Sequence, residues 1–372
     1  MSKHTALYGT HEALGASFTD FGGWQMPLKY TSELAEHHAV RQAAGLFDLS
    51  HMGEVWVTGP DAGAFLDYAL VGKLSAVVDG KAKYSLICNP DGGIIDDLIT
   101  YRFGAEKYLV VPNAGNAPTV AAELAARAEG FDVVVEDASD TTSLIAVQGP
   151  NAEAILLKIT GDSQHDLVTG LKYYAFTEVT VAGHDVILAR TGYTGEDGFE
   201  LFLPNGEAAA LWASITEAGA GLGLIPCGLA CRDSLRLEAG MPLYGNELSL
   251  EGNPFEAGFG QVVALSKEGD FVGKEALAAL KAAGAGTTSG RRLVGLKGLG
   301  RRAARGHYPV LKDGAVIGEV TSGQPSPTLG YPVALAYVDV EHSAIGTALE
   351  ADLRGKAEPF EVVALPFYKR AK

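Results

Sequence analysis

The alternation of apolar and polar residues changes period several times along this chain, and each change marks an element. Residues 31–45 (TSELAEHHAVRQAAG) read as a helix, with Thr31 or Ser32 as its cap, acids in its first turns and Gly45 as its stop. Residues 53–58 alternate as a strand, and 60–71 read as a helix beginning at Pro60. A hairpin signal follows: Ala82–Cys88, the turn Asn89-Pro90-Asp91-Gly92-Gly93, then Ile94–Arg102. Further strands are expected at 107–112, 133–136, 143–148 and 199–203, with a strand pair inside 179–191. Helices are expected at 116–130, 151–158, 206–218 and 227–239, the last stopped by Gly240 and Pro242. The stretch 282–290 is rich in Gly, Ala, Thr and Ser and reads as a linker. Beyond it short β patterns dominate, with Asp313-Gly314 as a hairpin turn. A small C-terminal β-barrel or sandwich is therefore expected.

Composition bounds the class. The chain has 372 residues, 47% hydrophobic and 20% charged, which is globular and long enough for two or three domains. Its 47 glycines predict many turns. No apolar run approaches the ~18 residues of a membrane span. The start, Met1-Ser2-Lys3-His4-Thr5, lacks the apolar core of a signal peptide. Cys88, Cys227 and Cys231 do not make a disulfide framework, so a reducing, cytoplasmic location is expected. The net charge of −16 argues against general binding to nucleic acid or anionic membranes. That charge is uneven. Between Ala276 and Lys312 there are eight cations and no acid, leaving 21 basic residues against 45 acidic elsewhere, a net −24. Such an island is either a docking site for an anionic partner or a solvated linker and domain edge.

Three places carry candidate chemistry. In Ile94-Ile95-Asp96-Asp97-Leu98-Ile99-Thr100-Tyr101 the two aspartates fall on opposite faces of one strand. Whichever face is buried, a carboxylate sits among apolar neighbours, where burial raises its pKa unless cations or donors compensate. The alternative is that one Asp caps a bulge and the other meets solvent. The short turn places Tyr84 opposite Asp97 or beside it. Glu200 interrupts the apolar strand 199–203. It is either a solvent-facing residue or a carboxylate that accepts two hydrogen bonds from a planar N–H pair, with Arg190 and Tyr193 across the turn. Arg232 lies among Leu229, Cys231 and Leu235 and needs an anionic or carbonyl partner, for which Asp233 and Glu238 are at hand. Other signals fail. Cys227 and Cys231 have no second ligand pair for zinc, Ser50-His51 is no triad, no phosphate loop is present, and His37-His38 are expected at the surface.

Taken together, the segments resemble the T-protein of the glycine cleavage system, a folate-dependent aminomethyltransferase. The matching text is Asp20-Phe21-Gly22-Gly23-Trp24-Gln25-Met26-Pro27, Phe47-Asp48-Leu49-Ser50-His51-Met52, Gly92-Gly93-Ile94-Ile95-Asp96-Asp97-Leu98 and Gln148-Gly149-Pro150. It continues with Thr191-Gly192-Tyr193-Thr194-Gly195-Glu196-Asp197-Gly198-Phe199-Glu200, Arg232-Asp233-Ser234-Leu235-Arg236-Leu237-Glu238, Asn253-Pro254-Phe255-Glu256 and Phe271-Val272-Gly273-Lys274-Glu275. Thr321-Ser322-Gly323, Ser326-Pro327-Thr328-Leu329-Gly330 and Pro366-Phe367-Tyr368-Lys369 complete it. These motifs run in order from about residue 7 to 369.

The resemblance implies an α+β fold in a three-domain, clover-like arrangement around a central folate channel, with two mixed α/β-sheet domains and a C-terminal β-barrel or sandwich. The corresponding boundaries are 1–50 with 140–275 as a discontinuous α+β folate-binding domain, 51–139 as an inserted α+β domain carrying the Asp hairpin, and 287–372 as the barrel. The implied substrates are tetrahydrofolate and the lipoylated H-protein bearing an aminomethyl group, with ammonia and 5,10-methylenetetrahydrofolate as products and neither metal nor flavin. By the same resemblance Asp97 matches the catalytic carboxylate, Glu200 the clamp on the pterin N–H pair and Arg232 a folate contact. Tyr84, Tyr101, Asn113 and Tyr193 resemble pocket-lining positions, and Tyr368 matches a C-terminal tyrosine that reaches the folate. Gln261 departs from the family's usual Trp, which puts contacts to the folate tail in doubt. Two rivals share the fold. A tetrahydrofolate-dependent demethylase of a sulfonium or methylamine is one; its flavin-coupled form needs a long N-terminal domain, and this chain begins directly in the matching text. The other is a non-enzymatic folate-binding protein of iron–sulfur maturation, whose cysteine motif does not match Gly240-Met241-Pro242-Leu243-Tyr244-Gly245-Asn246-Glu247.

Overall fold

Residues 2–371 are described by a computed structural model. Their contacts divide into two units. The first takes the chain up to Phe65, then Leu74–Lys83 and Leu98–Asp233; the second takes Leu66–Lys73, Tyr84–Asp97 and the chain from Ser234 onward.

The first unit is built on a six-stranded sheet in the order Phe176–Val181, His184–Ala189, Gly198–Pro204, Thr142–Gln148, Ala44–Asp48, Leu224–Pro226. Only the last pair is parallel. Strand alternation puts Val179, Val186, Leu188, Leu201 and Leu203 on one face, where they pack with Ile155, Leu211 and Trp212 from helices Ala152–Leu157 and Ala208–Gly219. Burial of each such side chain contributes roughly 1.5–3 kcal/mol. The even-numbered residues of Gly198–Pro204, Glu200 and Phe202 among them, therefore face away from the helices. A second sheet runs Lys81–Cys88, Ile94–Gly104, Lys107–Pro112, Val55–Thr58, Val134–Asp137, and the far half of its first hairpin counts with the second unit.

In the second unit six strands close a barrel in the order Arg291–Gly298, Pro332–Asp339, Ala315–Pro325, Pro309–Lys312, Ala348–Asp352, Ala357–Val363. The hairpin turn at Asp313-Gly314 has φ of 50° and 81°, the left-handed pair whose twist matches that of the strands. Val294, Leu296, Val310, Val320, Leu349 and Phe360 are among the residues that fill it. A separate apolar cluster holds the hairpin tip: Leu86, Cys88 and Ile94 pack with Leu248, Val263, Phe271 and Leu277. In the tip, Asn89 Oδ1 accepts from the N–H groups of Asp91 (3.0 Å) and Gly93 (2.8 Å). A Cβ on Gly93 would lie 2.2 Å from the Leu250 carbonyl oxygen, so no other residue fits there unchanged.

The expected elements form, with differences in bounds, in burial and in elements the pattern did not announce. The helix read over 31–45 is Glu33–Gln42; Ser32 caps it, its hydroxyl accepting from Ala35 N–H at 3.4 Å, and Gly45 lies in the next strand. His37 is buried, not at the surface. Its neighbour Glu36 is buried too: Oε1 accepts from the N–H groups of Tyr30 (2.8 Å) and Thr31 (3.1 Å), and Oε2 from Gly228 N–H (2.9 Å). Helices Tyr8–Ala13, His165–Thr169 and Lys274–Ala282, the hairpin Ser17–Phe21/Trp24–Lys29 and the edge strand Leu224–Pro226 were not anticipated.

Candidate functional site

In the second unit, Tyr84 and Asp97 stand on neighbouring strands of the second sheet. The Tyr84 hydroxyl donates to Asp97 Oδ2 at 3.1 Å, and its ring tilts against Phe259 with centroids 5.4 Å apart. Asp96, on the opposite strand face, is buried, whereas Asp97 is half-buried. The two faces of the motif are thus resolved: the carboxylate with access is Asp97. Tyr244 donates to the Ile94 carbonyl at 3.0 Å beside this pair. Its phenol is pushed up to about 12 by burial, then by the carboxylates of Asp96, Glu251 and Asp97. Tyr368 is held by its backbone, whose N–H donates to the Glu238 carbonyl at 2.8 Å.

In the first unit Glu200 is 9% exposed, flanked across the ladder by the small residues Ala146 and Ala189. It is not the solvent-facing residue that a lone Glu in a strand most simply predicts. The Thr191 hydroxyl donates to Glu200 Oε2, and the Tyr101 hydroxyl reaches the same oxygen at 3.5 Å. Arg232 lies with its guanidinium 4.5 Å from the centre of the Tyr193 ring. Burial pushes the Glu200 carboxyl above its ordinary range; the Thr191 bond, the Arg232 charge and the Tyr101 hydroxyl draw it part of the way back. Glu200, Arg232, Tyr193 and Thr194 line one small cavity with Phe47 and Ala146.

Four expected residues, Tyr101, Tyr193, Glu200 and Arg232, are therefore brought together, as are Tyr84 and Asp97. Asn113 lies half-buried just after strand Lys107–Pro112 and is not part of that cavity's lining. Tyr101 itself is buried, and that burial, with the Glu200 carboxylate adding to it, pushes its hydroxyl well up, so it serves Glu200 as a donor. Arg190 is committed elsewhere: its Nε donates to Asp197 at 3.0 Å and its Nη1 pairs with Glu153 at 3.0 Å.

Sequence reasoning assigned no role to Gln148, Thr191 or Arg41, which fix the turn before Glu200. Gln148 Nε2 donates to the Thr191 carbonyl (3.1 Å), and its Oε1 accepts from the Thr194 hydroxyl (2.8 Å). Arg41 donates to the Thr194 carbonyl (2.7 Å) and pairs with Glu196 at 3.1 Å, both side chains buried. A Gln closing a strand, followed far along the chain by a Thr- and Gly-rich turn, was the only available signal. His51 is buried and uncharged; burial and the Arg232 charge push it down to about 3.

The GCVT N-terminal domain model matches residues 7–267, and the glycine cleavage T-protein C-terminal barrel domain model matches 291–369. An aminomethyltransferase of Streptomyces avermitilis is 60% identical over 371 residues, covering 100% of this chain and 98% of the relative. One from Saccharopolyspora erythraea is 58% identical over 99% of this chain and 98% of its own length. The crystal structure of glycine cleavage system aminomethyltransferase T from Bartonella henselae superposes with a TM-score of 0.90 at 38% identity, covering 99% of each chain. Identity of this order along the full length favours aminomethyl transfer over the demethylase and iron–sulfur readings. The chain belongs to the glycine cleavage T-protein family of aminomethyltransferases.

Proposed function

We propose that two carboxylates divide the work of this aminomethyltransferase, Glu200 holding tetrahydrofolate and Asp97 serving the transfer. The observation that carries this is the pairing of each carboxylate with its own support: Tyr84 on Asp97 at 3.1 Å, and Thr191, Tyr101 and Arg232 around Glu200. An ionised Glu200 offers two oxygens to the adjacent N–H donors of a pterin, a charge-assisted pair. Arg232 moderates the desolvation cost of that charge, and the Tyr193 ring beneath it gives a flat wall for a flat ligand.

The second substrate is the lipoylated H-protein carrying an aminomethyl group on sulfur. The methylene forms two new C–N bonds, to the two reacting folate nitrogens. Its bonds to sulfur and to the original nitrogen break, and the two folate protons leave on the thiol and on ammonia. The products are ammonia, the dihydrolipoyl carrier and 5,10-methylenetetrahydrofolate. Asp97 orients the attacking amine, stabilises the positive charge that develops on the methylene nitrogen and takes up a proton. The Tyr84 hydroxyl keeps the Asp97 carboxylate in one rotamer. In this reading residues 1–50 and 140–275 form the folate-holding domain, 51–139 the inserted domain and 287–372 the barrel, with Asn113 and Tyr368 as further folate contacts.

The test is an assay of ammonia and methylenetetrahydrofolate with carrier and tetrahydrofolate. Asp97→Asn is expected to bind tetrahydrofolate as wild type does and to lose on the order of 10²–10⁴ in kcat. Retained turnover removes Asp97 from the mechanism, and absence of product from the wild type refutes the reading as a whole.

A further inference from the structure

A second cavity lies in the first unit, formed by residues to which the transfer reaction gives no role. Its volume is about 690 Å³, within the range of small-molecule sites. Its floor is the face of the six-stranded sheet turned away from the helices, where Ile187, Phe202 and Thr180 stand. Trp56 and Leu109 from the second sheet form its apolar wall. Trp56 is braced by Phe103, with ring centroids 5.1 Å apart, and by Lys107, whose Nζ lies 4.8 Å from the ring centre.

The charges in this lining are of one sign. Glu178 and Asp185 stand exposed on the rim, Asp185 accepting from the Thr180 hydroxyl at 2.8 Å, and no Lys or Arg lines the cavity. Glu54 also lines it and is fully buried. Its backbone is satisfied: the N–H donates to Ser139 Oγ at 2.9 Å, and the carbonyl accepts from Ala138 N–H at 2.9 Å. Its two carboxyl oxygens, in contrast, have no hydrogen-bond partner among the described residues. A buried carboxyl without a partner is rare enough in folded proteins to need a reason. A metal ion is a poor one, since among the described residues no three His, Cys, Asp or Glu side chains cluster to hold it.

We propose that this cavity binds a small organic cation, an alkylammonium whose apolar body lies along Ile187, Phe202 and Trp56 and whose head group pairs with Glu54 under the acidic rim of Glu178 and Asp185. Apolar walls with one buried acid and no base select for such a molecule over a metal ion, an anion or a neutral alcohol. Binding is coupled to a proton. Burial, with the Asp137 carboxylate adding to it, raises Glu54 well above the ordinary range, so the free carboxyl carries its proton. Glu136, opposite Trp56, and Asp137 on strand Val134–Asp137, Glu178 and Asp185 on the facing strands and Lys107 beside Trp56 are the charged groups around it, and the acids outnumber the base. The ammonium enters as a cation and the Glu54 proton leaves to solvent, one proton per ligand bound.

Calorimetric titration of the full chain with n-hexylammonium tests this, in buffers of different ionisation heat and with n-hexanol as the neutral comparison. Saturable binding with release of one proton is expected, with affinity rising about tenfold per pH unit while Glu54 remains protonated in the free protein. Glu54→Gln is expected to weaken hexylammonium at least tenfold without changing aminomethyl transfer, and hexanol to bind no better to wild type than to the variant. No saturable heat, binding without proton release, or equal affinity of hexanol and hexylammonium for the wild type each overturns the proposal. The proton count is read on the wild type and does not depend on the variant folding.

Discussion

Glu200 carries its own pH dependence. Burial raises its pKa, so the folded chain takes up a proton at a pH where an ordinary glutamate is still ionised. Two consequences follow with definite sign. As pH rises from the ordinary glutamate range through the raised value, the unfolded chain loses its proton first, and this one residue's contribution to stability falls. In the proposed clamp folate binding runs the other way, because two N–H donors call for the ionised carboxylate. Tetrahydrofolate affinity is therefore expected to fall as pH drops through the raised value, beginning at higher pH than a solvent-exposed glutamate would give. Glu200→Gln abolishes that acid limb and weakens binding by on the order of ten- to a hundredfold, the cost of a charge-assisted bond. Titrations of wild type and variant across the acid range check both, and a wild-type affinity independent of pH refutes the clamp. Asp48 shows the opposite balance at the same depth. Burial pushes its carboxyl up, but the hydrogen bond and charge of His11, with bonds from Thr5 and Ser50, outweigh it and hold the group below its usual range. Its stabilisation is present above the ordinary aspartate pKa and is lost as pH falls through the lowered one. Asp48→Asn breaks a buried pair, and urea unfolding is expected to show a loss of roughly 3–5 kcal/mol.

The hairpin that carries Asp97 is the element on which the reading depends, and its tip can be tested directly. Gly93→Ala sets a methyl against the Leu250 carbonyl, whereas Gly104, at the far end of the same hairpin's second strand, has nothing within 4 Å of a built Cβ. The first substitution is expected to cost ~1–3 kcal/mol and to lower turnover by moving Asp97. Gly104→Ala is expected to stay within ~0.5 kcal/mol of wild type. Equal thermal shifts for the two variants would show that the Leu250 contact does not constrain the tip. This hairpin was legible in the chain because Asn89-Pro90-Asp91-Gly92-Gly93 states a turn and alternation states the strands. The same holds for Asp313-Gly314 in the barrel. The helix Glu33–Gln42 was legible but its inner face was not, since the buried Glu36 carboxylate meets three backbone N–H groups, two of them on the entering loop. Local pattern cannot show a partner 192 residues away. The pairing of Tyr84 with Asp97 followed from hairpin geometry, whereas Gln148 and Arg41 act across long sequence separations and left no local mark.

Over the whole molecule, charge is the property that sequence arithmetic raised and the fold redistributes. The eight cations between Ala276 and Lys312 do not lie on a free linker. From Arg291 onward they belong to the barrel and its connections, and several are engaged. Arg291 lies 5.1 Å from the Tyr337 ring centre, Lys297 stands 4.7 Å from that of Tyr331, and Arg305 donates to the Gly323 carbonyl at 3.1 Å. Arg302 sits 3.8 Å from Glu358, an acid it shares with Lys356. The strand Arg291–Gly298 separates Arg291 and Arg292 at its start from Arg301, Arg302 and Arg305 beyond its end, by about 3.3 Å per residue along the strand. The island is thus two basic regions on the second unit, in a chain whose remainder is strongly acidic. For the proposed carrier, an acidic face would be drawn to such regions mainly through a faster rate of encounter, and salt screens the effect over a Debye length of about 10 Å at 0.1 M. Reversal of Arg291 and Arg292 to Glu is therefore expected to raise KM for the carrier several-fold at low salt and progressively less as salt is added. kcat and the turnover of a free aminomethylated lipoamide should stay near wild type, because no carrier surface is involved there. A KM for carrier whose salt dependence matches wild type would reduce these two arginines to barrel structure. Loss of activity with both substrates would instead point to damage within the barrel, since Arg291 packs on Tyr337 and Arg292 is exposed. Arg292→Glu alone then separates the two outcomes, as it removes charge without removing that contact.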